Sequence, residues 1–190
     1  IFFLLLVVNV IHIFVFSMAT LRGLPPKPAP TDKRKRYLML IAAYREDAVI
    51  QDTVKSCLNQ DYPKDMYDVL VISDHMTKET NDILRAMPIK LLQVDFEKST
   101  NTKSLKAALE HVGKDAPYDV AMIIDADNII NEHYLSEVND AFANPDVKIL
   151  QTHRVAKNLN TNTAYLDAIS EEMNNSIFRL GHVNLGMPTA

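Results

Sequence analysis

Short apolar runs alternate with stretches of helical periodicity along most of the chain. Runs that are apolar on both faces are typical of strands in a buried parallel sheet. Five such runs are present: YLMLIAAY (37–44), DVLVIS (68–73), IKLLQV (89–94), VAMIID (120–125) and VKILQT (147–152). Between them, hydrophobic residues recur every three or four positions, which predicts helices at residues 46–59, 77–87, 105–112 and 135–142. The alternation predicts an α/β fold with a doubly wound sheet.

The pattern changes beyond residue 152. Residues 158–163 are polar and predict a loop, and the apolar spacing of residues 164–180 predicts a further helix. No internal repeat and no low-complexity tract interrupts the sequence.

The first 21 residues contain no charged side chain and predict a membrane-spanning helix over residues 1–21. At about 1.5 Å per residue, such a helix is about 31 Å long, enough to cross the hydrocarbon core of a bilayer. A cleavable signal peptide is the alternative, because Ser17-Met18-Ala19 loosely fits a small-x-small cleavage site. Basic residues directly after the apolar run argue against export, since lysine and arginine beside a span mark its cytoplasmic side.

Charge is distributed unevenly along the rest of the chain. Residues 22–36 carry Asp32 and six basic residues, Arg22, Lys27, Lys33, Arg34, Lys35 and Arg36. The basic run at residues 33–36 fits either a nuclear signal or a patch for anionic lipids, but after a membrane span its role in topology suffices. The prolines of LPPKPAP make a stiff, extended linker. Residues 37–190 carry 14 basic against 23 acidic side chains, and so acidic a domain argues against a nucleic-acid partner.

Polar side chains follow four of the predicted strands, at the edge where ligands bind in open α/β sheets. They are Arg45-Glu46-Asp47, Asp74, Lys103 and Asp125-Ala126-Asp127. Carboxylates that converge on one edge repel one another unless a cation joins them, and a divalent ion with a nucleotide phosphate meets that need. The lysine opens a predicted helix, whose N-terminus also favours anions. The alternative is structural: these side chains would cap helices or face solvent.

Composition argues against several other classes of protein. Cys57 is the single cysteine, so no disulfide framework forms within the chain. Four glycines are too few for a glycine-rich phosphate loop, which also counts against a dinucleotide-binding oxidoreductase. The histidines share no zinc-ligand spacing, and the serines lack the glycine pattern of a nucleophile elbow.

Five segments, in this order, resemble family 2 of the glycosyltransferases, which have a Rossmann-like GT-A fold and use nucleotide sugars. They are IAAYREDAVIQDTVKSCLNQDYP (41–63), VLVISD (69–74), TKSLKAAL (102–109), MIIDADN (122–128) and ILQTHR (149–154). The first resembles the family's first strand, acidic turn and helix, and the fourth its aspartate-x-aspartate motif. Thr102 stands where the family usually has glycine. The resemblance covers residues 37–190.

The resemblance implies a role for each matching residue. It implies Ala43, Tyr44 and Glu46 beside the nucleotide, Asp74 at the base, Lys103 at the diphosphate, Asp125 at the nucleotide sugar, and Asp125 and Asp127 as ligands of Mg²⁺ or Mn²⁺. The implied reaction moves a sugar, with inversion, from a nucleotide-diphosphate donor to a hydroxyl of a glycan or lipid acceptor. A UDP-sugar is the default donor because it is the commonest in the family.

The resemblance also implies a catalytic Asp in an acidic motif well downstream of the metal motif. No acidic residue between Asp127 and Ala190 lies in a fitting context. Because the chain does not start with Met and stops abruptly, we expect a fragment whose base lies beyond Ala190.

The implied location is the cell (inner) membrane, with the catalytic domain in the cytoplasm and a role in surface polysaccharide or glycolipid synthesis.

Other functions compete with this interpretation. A non-catalytic nucleotide-sugar sensor or assembly subunit would show the same donor site without the base. A receiver-like module would need its phosphoacceptor Asp after the third strand, whereas the strongest acidic pair follows the fourth. A nucleotidyltransferase would normally carry a Gly-rich, basic first loop, and AAYRED does not match that signature.

Overall fold

In the computed structural model, which describes residues 2–187, four parallel strands form the sheet. They are β1 (Tyr37–Tyr44), β2 (Tyr67–Asp74), β3 (Lys90–Val94) and β4 (Val120–Asp125). Their spatial order is β3-β2-β1-β4, so the direction of winding reverses between β1 and β4. Because all pairs are parallel, the carboxyl ends of the strands share one edge. This is the parallel α/β fold that the apolar runs predict.

Helices follow the strands, and three begin at a threonine cap. They are α1 (Phe2–Thr20), α2 (Ile50–Leu58), α3 (Lys78–Arg85), α4 (Asn101–Val112), α5 (Tyr134–Ala141), α6 (Asn162–Met173), a π-helical segment (Asn174–Leu180) and α7 (Gly181–Asn184). Thr77, Thr100 and Thr161 accept a hydrogen bond from the backbone N–H three residues later, which satisfies one unpaired donor in the first turn of α3, α4 and α6.

The chain divides into two compact units, one of residues 28–148 and the other of residues 1–27 with 149–190. Ile1 and residues 188–190, which begin the predicted membrane span and end the predicted domain, lie outside the described residues. The boundaries drawn from the sequence, at residues 1–21, 22–36 and 37–190, therefore stay predictions.

Both faces of the sheet are covered within residues 28–148. Met39 and Ile41 of β1 share a buried cluster with Val54 of α2 and Val138 of α5. On the other face, Leu40, with its neighbours on β1 and β2, clusters with α4. Burying a side chain of this size stabilises the fold by about 1.5–3 kcal/mol. On β1 and β2 the apolar run is continuous because both faces are packed, whereas β4 buries only every second residue and no residue of β3 is fully buried.

The predicted strand at residues 147–152 is wrong, because these residues have no regular secondary structure. An apolar run becomes a strand only where its backbone finds a pairing partner. The register shows β4 paired with β1, and no second partner of β4 occurs within residues 2–187. Accordingly, Ile149 is 90% exposed and Ile123 on β4 is 66% exposed.

The side chain of Asn139 joins α5 to the segment that precedes β1. Its Oδ1 accepts hydrogen bonds from the Lys35 N–H at 3.1 Å and the Tyr62 hydroxyl at 2.9 Å. Its Nδ2 donates to the carbonyl of Lys33 at 2.9 Å, and the Tyr37 hydroxyl lies 3.4 Å from Oδ1. Burial raises the pKa of both tyrosines, which keeps their hydroxyls protonated as donors. Asn139 is 1% exposed, so its side-chain amide is shielded from water, whereas Lys33 at the edge of the network is exposed.

The predicted linker is attached to the domain over its last residues. The Thr31 N–H donates to Asp140 at 3.0 Å, and the Arg36 N–H donates to Asp119 at 2.7 Å. Together with the Asn139 bonds, these contacts hold residues 31–36 in place. Residues 31–36 of the predicted linker are therefore packed against the domain.

In the other unit, α1 packs against the π-helical segment and α7. The rings of Phe16 and His182 stack at 4.0 Å, and a Cβ on Gly181 would lie 2.7 Å from the Phe16 carbonyl oxygen. The absence of a side chain at Gly181 thus permits the close approach. By its length and composition, α1 could cross a membrane, and a signal sequence would satisfy the same criteria.

Candidate functional site

An open cleft of about 500 Å³ lies at the carboxyl ends of β2 and β3. Such a volume falls within the range of small-molecule sites. The residues that line it are Arg45, Ser73, His75, Met76, Asn81, Gln93, Val94 and Asp95. Both the loop after β1 and the loop after β2 therefore reach the cleft.

The chain leaves β1 and β2 through two matching turns. Tyr44 pairs with Asp74 in the register, and each is followed by a residue in the left-handed region, Arg45 at φ 56° and His75 at φ 54°. Such a conformation costs a residue other than glycine about 1–2 kcal/mol. The Arg45 N–H donates to the Asp74 carbonyl at 3.2 Å, which couples the two turns.

His75 lies between two carboxylates. Its Nδ1 is 2.5 Å from Oδ1 of Asp74, and its Nε2 is 2.9 Å from Oδ1 of Asp95. The ring of Tyr44 meets the imidazole edge-on at 5.5 Å. Both imidazole nitrogens therefore lie within hydrogen-bonding distance of a carboxylate oxygen. The orientation of the imidazole is therefore fixed from three sides.

Asp74 is 1% exposed and lies beneath the cleft rather than in its lining. Burial by itself raises the pKa of this carboxyl, but Ser99, His75 and the Phe96 backbone together hold it below the usual value. Its Oδ2 is buried and accepts no hydrogen bond of ordinary geometry, although Ser99 and Phe96 are close enough to favour the ionised form. Asp74 thus remains charged and, from beneath the cleft, fixes the orientation of His75.

The other residues expected after β1 occupy distinct environments. Ala43 is 1% exposed and belongs to the core, whereas Tyr44 is 45% exposed. The Arg45 guanidinium lies over the Tyr44 ring at 5.2 Å, a cation–π contact. The Glu46 N–H donates to Sδ of Met76 at 3.1 Å, so its backbone holds the loop after β1 against the cleft wall. Of the three predicted residues, Tyr44 is exposed, Glu46 is half-buried and Ala43 is buried.

Lys103 lies in the first turn of α4 and is exposed. Its backbone N–H is capped by the Thr100 hydroxyl at 3.3 Å, and its Nζ donates to the Lys98 carbonyl at 2.6 Å. Nζ also lies 6.0 Å from the ring centre of Phe96, in the loop that covers Asp74. The lysine therefore belongs to the same β3–α4 loop as Asp95, at a helix N-terminus that favours anions.

Asp125 and Asp127 flank a turn at the end of β4. Asp125 pairs with Ala42 in the register, and both aspartates are exposed while Ala126 between them is 7% exposed. Asn128 donates through Nδ2 to Oδ2 of Asp125 at 3.3 Å. Exposed carboxylate oxygens are the ligands that Mg²⁺ and Mn²⁺ prefer. The residues present at this turn therefore fit the implied ion.

The loop that carries Asp127 is anchored to α2 and the turn that follows it. The Thr53 hydroxyl donates to the Ala126 carbonyl at 2.7 Å, and Gln60 donates through Nε2 to the Asn131 carbonyl at 2.9 Å. The Asp61 N–H donates to the Glu132 carbonyl at 2.8 Å. These bonds run from both ends of the loop into the domain, so the position of the aspartates is set by α2.

The anchor ends in an exposed ion pair between Asp61 and His133, whose Oδ2 and Nδ1 are 2.5 Å apart. The hydrogen bond and charge of Asp61 raise the pKa of His133. Burial by itself raises the pKa of Asp61, but hydrogen bonds from His133 and Ser136 hold it below its usual value. Each partner thus favours the charged form of the other.

We predict that His133→Gln lowers the melting temperature only in a limited pH window. His133 stabilises the fold fully below its unfolded pKa, about 6.5, and loses that effect as pH rises through the raised folded pKa. Asp61 stabilises it above its unfolded pKa, about 3.9, and loses that effect as pH falls through the lowered folded pKa. Melting curves from pH 4 to pH 9 should diverge most near pH 5, and His111→Gln on α4 is the control. A difference that does not change with pH would contradict the assignment.

The structure groups the predicted residues into two sets on either side of β1. Asp74 and Lys103 lie with the cleft at β2 and β3, and Asp125 and Asp127 lie beyond β1 on β4. Two strand spacings, about 10 Å, separate β2 from β4. Among the described residues, Asp74, His75 and Asp95 are the one group of three that could each offer a metal ligand within 4.8 Å of one another. An ion at Asp125 and Asp127 would complete its coordination with phosphate and water, as Mg²⁺ commonly does.

Sequence reasoning missed His75 and Asp95 as members of the site. The mutual spacing of the histidines gives no signal for a residue that pairs with carboxylates on two loops. Position in the predicted sheet was the available signal, because His75 directly follows Asp74 and Asp95 directly follows the third apolar run.

Residues 35–180 match the sequence model of the family described as "Glycosyltransferase like family 2". A probable glycosyltransferase, YdaM of Bacillus subtilis, is 31% identical over 113 residues, which are 56% of this chain and 26% of that protein. A beta-monoglucosyldiacylglycerol synthase of Synechocystis is 28% identical over 134 residues, 68% of this chain and 28% of the synthase. The chain thus spans about a quarter of the length of these relatives.

Two further comparisons concern sugar polymers and the fold. A poly-beta-1,6-N-acetyl-D-glucosamine synthase of Staphylococcus epidermidis is 31% identical over 49% of this chain and 22% of its own length. The mannosyltransferase PcManGT of Pyrobaculum calidifontis, solved with GDP-Man and Mn²⁺, superposes with a TM-score of 0.59 at 23% identity, over 75% of this chain and 44% of that one. At this identity the superposition establishes the shared GT-A fold.

Proposed function

The chain belongs to family 2 of the glycosyltransferases, and from that premise we propose that it binds a nucleotide-diphosphate sugar along the carboxyl edge of its sheet. In this proposal the sugar passes, with inversion, to a hydroxyl of a glycan or lipid acceptor. The domain would lie in the cytoplasm, anchored to the membrane by α1, and serve surface polysaccharide or glycolipid synthesis. The names of the Synechocystis and Staphylococcus relatives support the two acceptor classes.

The observation that carries the proposal is the position of Asp125 and Asp127. Ligands of open α/β sheets bind outside the carboxyl ends of the strands, where the strand order reverses. Here the reversal lies between β1 and β4, and the two aspartates follow β4 directly. Tyr44 follows on the other side of the same crevice. Two exposed carboxylates at this position favour a hard divalent ion that binds together with a diphosphate.

In this proposal, each set of residues binds a different part of the donor. Tyr44, with Asp74 acting through His75, would bind the nucleoside end in the cleft. Lys103 and the N-terminus of α4 would bind the diphosphate, since backbone N–H groups and a lysine both attract phosphate there. Asp125 and Asp127 would hold the Mg²⁺ or Mn²⁺.

When bound, the ion would neutralise charge on the leaving diphosphate. The protein's own side chains would bind the donor and fix its orientation, so that an acceptor hydroxyl can approach the anomeric carbon from the opposite face. Attack from that face inverts the anomer and requires a base that takes the hydroxyl proton. We assign no described residue to the base.

Calorimetry of the 190-residue chain in detergent tests the donor site. We expect UDP to bind at least about tenfold more tightly with Mn²⁺ than with EDTA, because the ion bridges the carboxylates and the diphosphate. Because no described residue is assigned to the base, this experiment tests donor binding alone. If a folded chain binds neither UDP nor GDP, with or without the ion, the proposed function is wrong.

A further inference from the structure

We propose that His75 and Asp95 form a second metal site, at which a Zn²⁺ ion binds in the cleft and competes with the nucleotide. The metal site itself does not depend on the proposed function, but the competition rests on it, since it requires the cleft to hold part of a nucleotide. The site lies across β1 from Asp125 and Asp127, the pair that fits Mg²⁺ or Mn²⁺. Zn²⁺ and Mn²⁺ would thus affect nucleotide binding in opposite directions.

The first step concerns the distance between the two ligand atoms. Nε2 of His75 and Oδ1 of Asp95 are 2.9 Å apart, and both side chains line the cleft. Two ligands of a tetrahedral Zn²⁺ lie about 3.3 Å apart, because each bond to the ion is about 2.0–2.1 Å long. The Asp95 side chain is 89% exposed, so it can move outward without disturbing the core. Water would complete the coordination, as it does at zinc sites that keep an open position.

The second step concerns the orientation of the imidazole. His75 donates through Nδ1 to Oδ1 of Asp74 at 2.5 Å, which leaves the lone pair of Nε2 for an ion. Histidines that bind a metal almost always donate their other ring N–H to a carboxylate or a carbonyl, which fixes the ring and makes the free nitrogen more basic. The ring of Tyr44, edge-on at 5.5 Å, restricts the imidazole further. His75 is therefore already held as a metal-binding histidine is held.

The third step concerns the charge around the site. Asp74 is 1% exposed, and its Oδ2 is buried and accepts no hydrogen bond of ordinary geometry within residues 2–187. Asp74 and Asp95 place two negative charges beside the imidazole. Arg45 is the basic residue of the cleft lining, and its guanidinium lies over the Tyr44 ring. A dication on Nε2 would offset the charge of both carboxylates, since an opposite charge within about 4–6 Å favours the ionised form.

The fourth step concerns the choice of ion. An imidazole nitrogen suits Zn²⁺, whereas Mg²⁺ and Mn²⁺ are best bound by oxygen, and the affinity of a mixed nitrogen and oxygen site rises from Mn²⁺ to Zn²⁺. Asp125 and Asp127 offer carboxylate oxygen alone. The two places on the sheet edge therefore differ in the ion that they favour. Because His75 and Asp95 line the cleft, an ion between them occupies space that a nucleotide needs.

Calorimetry with Zn²⁺ alone tests the metal site. For the 190-residue chain in detergent, without nucleotide or Mn²⁺, we expect Zn²⁺ to bind at least about tenfold more tightly than Mg²⁺. Loss of a residue that merely orients a metal ligand costs about 10–100-fold in affinity, so His75→Asn and Asp95→Asn, which remove a ligand, should each cost at least about tenfold. Asparagine suits position 75 because it tolerates the left-handed backbone there, at φ 54°.

His133→Asn is the matched control, because His133 also lies between two carboxylates, Asp61 and Glu132, but outside the cleft. It should leave the Zn²⁺ affinity unchanged. Melting curves followed by circular dichroism check that each variant is folded. If His75→Asn does not fold, Asp95→Asn still decides, because Asp95 is exposed.

A second titration tests the competition. With Mn²⁺ at saturation, Zn²⁺ at about ten times its dissociation constant should weaken UDP binding about elevenfold by mass action. Asp95→Asn should abolish this effect of Zn²⁺.

The outcomes distinguish this inference from the proposed function. A chain that binds no Zn²⁺, or whose Zn²⁺ affinity survives both His75→Asn and Asp95→Asn, overturns the metal site. Zn²⁺ that binds in the cleft but leaves the affinity for UDP unchanged overturns the competition. A folded chain that binds Zn²⁺ at His75 and Asp95 but neither UDP nor GDP contradicts the proposed function and supports the metal site.

Discussion

Replacing Asp127 by alanine is expected to abolish the Mn²⁺-dependent part of UDP binding. The variant removes one of the two carboxylates at the end of β4, and the remaining Asp125 would have to hold the ion with phosphate and water alone. Changes outside the ligand shell typically reduce metal affinity by about 10–100-fold, so loss of a ligand should exceed that range. Calorimetry of UDP with and without Mn²⁺ measures the effect.

Asp146→Ala is the matched control for this variant, because Asp146 is also exposed and lies in a loop after a helix. It should leave UDP binding unchanged with and without the ion. Because Asp127 is exposed, its replacement should leave the melting temperature close to that of the parent chain. Unaltered Mn²⁺-dependent binding by Asp127→Ala would show that the aspartate-x-aspartate motif does not hold the ion.

A second large effect is expected from Asn139→Leu, which should destabilise the fold by about 1–3 kcal/mol. Leucine has a similar size but cannot hydrogen-bond, so the Lys35 N–H and the Lys33 carbonyl would lose their partner. The Tyr62 hydroxyl keeps one alternative acceptor, the Lys35 carbonyl at 2.9 Å. Unsatisfied polar groups in a buried network carry the full cost of desolvation. Urea unfolding, followed by circular dichroism, gives the free energy of unfolding.

Two further variants provide a smaller expected loss and a control for the Asn139→Leu result. Tyr62→Phe removes a single donor and should cost about 1 kcal/mol. Asn144→Leu changes an exposed asparagine beyond the end of α5 and should stay within about 0.5 kcal/mol of the parent. If Asn139→Leu is no more destabilising than Asn144→Leu, the buried network contributes little to stability and the attachment of residues 31–36 to α5 must rest on other contacts.

The centre of the sheet could be predicted from the sequence because β1 and β2 are packed on both faces. β1 matches the run YLMLIAAY residue for residue, and its burial is nearly complete along its length. The positions of Asp74 and Asp125 at strand ends followed from the same pattern, since carboxyl ends of parallel strands meet at one edge. Local pattern and global position agree for these residues, and that agreement made the candidate site predictable in outline.

The failures arose where partners are distant in sequence. The run at residues 147–152 has the composition of a strand, but composition does not reveal whether a neighbouring edge is available for pairing. The roles of His75 and Asp95 depend on a contact between two loops, with Nε2 and Oδ1 2.9 Å apart. The attachment of the linker through Asn139 is likewise a contact across more than one hundred positions of the chain, between residues 35 and 139. Periodicity carries no information about such pairs.

At Arg45 and His75, the left-handed backbone brings the thermal stability of this domain into conflict with ligand recognition. Glycine adopts that conformation without the Cβ penalty, so either position would become more favourable by about 1 kcal/mol if glycine stood there. A directed-evolution campaign scored on thermal survival alone should therefore enrich glycine at both sites and discard the two side chains that reach the cleft. Variants that gain heat resistance in this way would be well-folded proteins with an impaired pocket, so a library of this domain needs a binding screen beside the thermal one.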